Sequence, residues 1–166
     1  MRRSQVWRHT QLMTTHVDAT PEDRRGQTRE AIDRLLSRRQ EVLVHYERVA
    51  GVQPYENDPP GADLLKRFSQ LLMDYIALGH FGLYQRITEG SERRSKVLNV
   101  AEEIYPHIAV TTEKALDFND AYDQADKSAP FDALCERLSA LGEVLAHRIE
   151  MEDRLITALL APANGA

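Results

Sequence analysis

Two charged residues interrupt a run of leucines in the last third of the sequence. Leu134, Leu138, Leu141, Leu145, Arg148, Glu152, Leu155 and Leu159 are spaced alternately by four and three, which marks one face of a helix. Arg148 and Glu152 take two successive positions of that apolar face, and at a separation of four they can pair. Arg39 breaks a second stripe in the same way, between Leu36 and Leu43, and His80 and Tyr84 flank a third. A buried charge without a partner costs several kcal/mol. Arg39, His80, Tyr84, Arg148 and Glu152 are therefore expected to converge on an internal polar network. Such a network could fix the register of the helices, line a ligand pocket, hold a metal or supply an acid/base pair, and its longer side chains could also snorkel to water. A histidine beside a carboxylate can act as a base, but no nucleophile motif accompanies His80.

A second group of residues faces the other way. With Leu72 directed at the core, about 100° per residue places Arg67, Gln70, Asp74, Ala77 and Phe81 on the opposite side of their helix, with Leu78 at the border. Asp74, Ala77, Leu78 and Phe81 thus form a candidate partner-binding patch, an aromatic anchor beside an orienting charge. The plainer alternative is a singly exposed Phe81, or one covered by a loop or tail.

Four amphipathic segments must position these groups. Thr20-Pro21-Glu22-Asp23 reads as a helix start, with a capping Thr, a Pro in the first turn and acids at the positive end of the helix dipole. Gly26 is expected to interrupt that short helix. The first long helix is predicted from Thr28 to Ala50, with Ile32, Leu35, Leu36, Val42, Leu43, Tyr46 and Val49 inward and Gly51 as a left-handed cap. A proline-bearing loop over 53–60 precedes a second helix from Ala62 to Thr88, whose inward set is Leu65, Phe68, Leu72, Ile76, Leu83 and Ile87. The third helix, Ser91 to Tyr122, carries Val97, Ala101, Ile104, Ile108, Thr111, Ala115, Phe118 and Tyr122 inward. It contains Pro106, which is expected to kink or split it. After a polar connector over 123–129, the fourth helix runs from Pro130 to Leu160. No strand pattern or repeat appears. The expected fold is all-α, an antiparallel bundle of four long helices over residues 20–160, with a flexible N-terminal tail at 1–19 and a frayed end at 161–166.

Composition narrows the function. The chain of 166 residues carries 21 Lys and Arg against 26 Asp and Glu, for a net charge of −5. The charge is unevenly spread: residues 1–40 are net basic, and the remainder is strongly acidic. An acidic body repels nucleic acid and suits a basic protein partner. The single cysteine, Cys135, excludes an internal disulfide, and no CxxC or Cys/His cluster suggests zinc. No apolar run approaches the roughly 18 residues of a membrane span, and no apolar segment follows Arg2 and Arg3 as a secretion signal requires. A cytoplasmic protein is expected, with no membrane partner.

The run Arg148-Ile149-Glu150-Met151-Glu152-Asp153-Arg154 looks like the last helix of hemerythrin-like bundles, but Arg148 stands where a histidine ligand would be, and Tyr84 where a carboxylate would follow His80. A cation in a ligand position argues against a bound metal, so neither metal nor cofactor is expected. A histidine phosphotransfer role for His80 lacks the nearby lysine.

The segments Asp33-Arg34, Arg39, Val49-Ala50-Gly51, Leu72-Met73-Asp74-Tyr75-Ile76-Ala77-Leu78-Gly79-His80-Phe81-Gly82-Leu83-Tyr84, Ile104-Tyr105-Pro106 and Arg148–Ile156 carry a closer likeness. From about Arg29 to Leu160 the chain resembles the Rsd/AlgQ family, bacterial regulators that bind the housekeeping sigma factor of RNA polymerase. The resemblance implies a non-enzymatic anti-sigma factor. Its partner would be the C-terminal helix-turn-helix domain of the primary sigma factor, and its contact positions would be Asp74, Ala77 and Phe81, with His80 and Tyr84 in the adjoining interior. Where family members commonly carry Ser and Trp, this chain has Ala77 and Leu35. The alternative reading is a metal-sensing or small-molecule-sensing helical bundle.

Overall fold

The computed structural model describes residues 19–51, 61–123 and 131–162, and every element in them is helical. The expected mobile tail, proline-bearing loop, polar connector and frayed end fall on or largely within residues 1–18, 52–60, 124–130 and 163–166, outside the described residues.

Helix α1 spans Pro21–Ala50. Its start is a full capping box: the Thr20 hydroxyl accepts from the Asp23 N–H at 3.1 Å, and the Asp23 carboxylate accepts from the Thr20 N–H at 3.0 Å. Gly26 does not interrupt the helix. A glycine in a helix interior costs about 1 kcal/mol, which the cap and the following regular turns offset. At the other end Gly51 adopts φ 68° and ψ 53° and donates to the Glu47 carbonyl.

Helix α2 is α-helical over Ala62–Gly79, π-helical over His80–Tyr84, and closes with an α-turn at Gln85–Thr88. Helix α3 spans Ser95–Asp123. It begins four residues later than the sequence suggests, because the Glu92 carboxylate gathers the N–H groups of Arg93 and Arg94 and the Arg94 guanidinium into a compact corner. Arg94 also donates to the carbonyls of Leu159 and Ala161 at 3.1 Å, capping the end of the last helix. Pro106 lies inside α3 without splitting it. Pro106 and Glu102, whose carbonyl loses its intrahelical donor, are both exposed, so water can take the vacant bond. Helix α4 spans Phe131–Leu160.

Cross-helix contacts fix the topology. Gln27 meets Arg86 while Tyr46 meets Phe68, so α1 and α2 run antiparallel. Ser69 bonds Asn119 and Tyr105 bonds the Tyr84 carbonyl, so α2 and α3 do as well. Glu103 with Arg154 and Tyr122 with Arg137 set α3 against α4, and Arg39 with Glu152 and Tyr46 with Leu138 set α4 against α1. The result is a closed up-down-up-down bundle. The inward stripes of α2, α3 and α4 read from the sequence are buried throughout. In α1, Leu36 is instead exposed, and Leu43 and Tyr46 are half-buried. Along the axis the interior changes character. Tyr46, Phe68, Phe118 and Tyr122 stack at one end, with ring centroids 4.8–6.0 Å apart, and the polar side chains lie in the middle.

Candidate functional site

The bundle's mid-section is organised around Glu152, which is wholly buried. One carboxylate oxygen accepts from Arg148 Nε at 2.9 Å and from the Tyr84 hydroxyl at 3.0 Å. The other accepts from Arg39 Nη2 at 3.0 Å and from the Tyr75 hydroxyl. Arg148, 1% exposed, also donates to the hydroxyls of Thr111 and Thr112 at 3.2 and 2.9 Å, and its guanidinium lies 5.5 Å from the Tyr75 ring centroid. Arg39 reaches outward to Asp153 at 2.6 Å, while its buried Nε finds no partner among the described residues. One carboxylate thus ties together α1, α2 and α4, and Arg148 adds α3.

Arg39, Tyr84, Arg148 and Glu152 meet as the sequence suggests, but His80 does not join them. It is exposed, packed edge-on against Phe81 at 4.8 Å between centroids. The π-helical segment explains the difference. The Gln85 N–H donates to the His80 carbonyl five residues back, so the turn is wider than an α-turn and Tyr84 comes to lie over Gly79 instead of His80. A Cβ at Gly79 would meet the Tyr84 ring at 3.1 Å and Arg148 Nη2 at 3.3 Å, so any larger residue there would have to push both side chains back by a few tenths of an ångström. Sequence reasoning missed Tyr75, Thr112 and Asp153 as members. The signal for Tyr75 was available: it stands three after Leu72 and seven after Phe68, within the same inward stripe.

The network sets a pH dependence. Burial pushes the Tyr75 phenol above its ordinary 10.0, the charge of Glu152 and the bond to it add to the shift, and Arg148 and Arg39 oppose it. Burial also raises Tyr84, again reinforced by Glu152 and opposed by Arg148. Both phenols keep their protons to higher pH folded than unfolded. Their contribution to stability is therefore complete below the unfolded value near pH 10 and declines above it, as the unfolded chain ionises first. The urea midpoint should stay level to about pH 9 and fall above about pH 10, with a shallower fall in a Tyr75→Phe/Tyr84→Phe variant. A parent midpoint that does not move up to about pH 11 would contradict this.

The hemerythrin-like alternative finds no donor set here. Both oxygens of Glu152 are occupied by guanidinium and phenol donors, and no three His, Cys, Asp or Glu converge among the described residues.

On the outer side of α2 the arrangement is simpler. Asp74 and Ala77 are exposed, Leu78 is half-buried, and Phe81 is 65% exposed, the largest exposure of any big apolar side chain described. Phe81 faces outward as the regular helical period counted from Leu72 places it, near the start of the π-helical segment. No helix among the described residues is long and apolar enough to cross a membrane.

Comparison with known proteins agrees on one family. The model of the family described as regulator of RNA polymerase sigma(70) subunit, Rsd/AlgQ, matches residues 13–160. A protein named regulator of sigma D from Yersinia pestis is 34% identical over 138 residues, covering 79% of this chain and 80% of its own length. One of the same name from Enterobacter sp. is 31% identical over 141 residues, covering 83% and 85%. Another, from Yersinia enterocolitica, is 33% identical over 138 residues, covering 79% and 81%. No solved structure matches. With a family match along nearly the whole bundle and relatives aligned over most of both chains, this protein belongs to the Rsd/AlgQ family of regulators of the RNA polymerase sigma(70) subunit.

Proposed function

We propose that this protein is a cytoplasmic anti-sigma factor. It binds the primary sigma factor through that factor's C-terminal helix-turn-helix domain, keeps it from promoters and core polymerase, and lowers housekeeping transcription when growth slows. It does so as a binding protein, without catalysis or cofactor, and its bundle does not contact nucleic acid. The observation that carries the reading is Phe81, a large aromatic held out to solvent one helical turn beyond Ala77 and two beyond Asp74. Charge supports it: a domain that reads DNA must be basic, and the chain from residue 41 onward is acidic. The interior network serves this function by holding α2 in place.

The test is capture of the purified primary sigma factor, and separately of its isolated C-terminal domain, at rising salt. Both should be retained at low ionic strength, and retention should fade as salt is raised through several tenths molar, where the screening length shrinks to a few ångströms. Failure to retain either one at low salt, with promoter-directed transcription unchanged, would end the proposal.

A further inference from the structure

One end of this acidic bundle is basic. A cleft of about 780 Å³ opens between the start of α1, the end of α2, the corner before α3 and the end of α4. Arg24, Arg25, Arg29, Arg86, Arg93 and Arg94 line it, against a single acid, Glu92. Glu92 is already engaged by Arg94, and Arg94 is further committed to the carbonyls at the end of α4. Asp23, in the first turn of α1, is turned back into the helix cap. Among the described residues, Arg24, Arg25, Arg29, Arg86 and Arg93 form no ion pair.

Gathering like charges around one cavity is unfavourable in itself, since each guanidinium raises the potential felt by the next. Their planar forks match phosphate oxygens in pairs, and a multiply charged anion would relieve the repulsion. The cavity's size lies within the range of small-molecule sites, roughly 300–1,000 Å³. Its floor is apolar, from Leu83, Ile87 and Leu159, which suits the organic part of a ligand. A concave cleft with an apolar floor favours a small ligand over the convex ridge of a nucleic-acid duplex.

We infer that this arginine-lined cleft is a binding site for a small, multiply charged phosphorylated molecule. The site is separate from the Glu152 network and stands whether or not the outer face of α2 binds sigma.

Calorimetric titration of the full chain at fixed ionic strength tests the site, with inorganic pyrophosphate, adenosine diphosphate and adenosine as probes. Pyrophosphate and adenosine diphosphate should bind and adenosine should not. Arg25→Glu/Arg29→Glu changes two exposed positions and should weaken both anions by about tenfold or more. Arg48→Glu/Lys114→Glu makes the same change of net charge at exposed positions away from the cleft, and should leave affinity within about twofold. The inference is overturned if neither anion binds, or if both double variants weaken binding equally. A twelve-base-pair duplex that binds and is displaced by neither anion would also overturn it, in favour of a nucleic-acid surface.

Discussion

Arg148→Ala is expected to destabilise the bundle by roughly 3–5 kcal/mol, lowering the thermal midpoint by roughly 6–20 °C for a chain of this size. The guanidinium is 1% exposed and makes three side-chain hydrogen bonds, to Glu152, Thr111 and Thr112. Truncating it leaves the wholly buried Glu152 dependent on Arg39 and two phenols for compensation, and empties a space that water cannot easily reach. Glu152→Gln should be at least as damaging. It would leave two guanidiniums in the interior facing an amide, with only the largely exposed Asp153 still opposing Arg39. By contrast Arg34→Ala removes a solvent-exposed pair with Glu30 on the surface of α1 and should leave the transition where it was. Urea titration of the three variants distinguishes these expectations. A loss below about 1 kcal/mol for Arg148→Ala would mean that its charge is hydrated in the folded state.

The network raises stability less than its bonds suggest, because removing two arginines and a glutamate from water is itself costly. What it supplies is geometry. Glu152 accepts from α1, α2 and α4 at once, and each donor reaches it from a fixed position along its own helix. A slip of α2 by one residue would pull Tyr75 and Tyr84 away and strand the carboxylate. The same requirement accounts for the π-helical segment: a regular α-helix would bring His80 over Tyr84, whereas the widened turn delivers Tyr84 to Glu152.

That turn marks the limit of what periodicity could reveal. Steps of three and four describe α3 and α4 correctly, including the buried charges at Arg148 and Glu152, because those helices keep one period from end to end. They misplace His80, because steps of four pair it with Tyr84 while the extra residue in the turn shifts Tyr84 over Gly79, and no local propensity in His80-Phe81-Gly82-Leu83-Tyr84 announces the insertion. Gly79 was a clue only in hindsight: its missing side chain makes room for Tyr84 and Arg148, a contact between residues 69 apart in sequence. Gly26 failed as a breaker for the opposite reason, since helix propensity at one site is weaker than a capping box three residues away. Pro106 does not split α3 either, its cost lowered by solvent access on the outer side of the helix. The arginine cleft was illegible in principle. Its side chains come from four separate segments, and only folding gathers them.

On the proposed docking face, Phe81→Ala and Asp74→Arg should each weaken capture of the sigma C-terminal domain, and their dependence on salt should differ. Phe81 offers an exposed aromatic surface that a partner can desolvate, and truncation of such an anchor typically costs about 2 kcal/mol, near thirtyfold in affinity. That loss should persist at high ionic strength, because it reflects buried apolar area. Asp74 is exposed and contributes charge, so its reversal should cost about tenfold at low salt and fade as the charge is screened. Neither side chain belongs to the core or to the Glu152 network, so both variants should melt with the parent and a loss of capture can be read as a loss of contact. Two outward positions seven residues apart can be bridged by one partner helix. The double variant would then lose less than the sum of the two single losses if sigma touches both through a shared element, and their full sum if it touches them separately. Unchanged affinity of both variants at every salt concentration would place the partner on another face of the bundle and leave the exposure of Phe81 without a function.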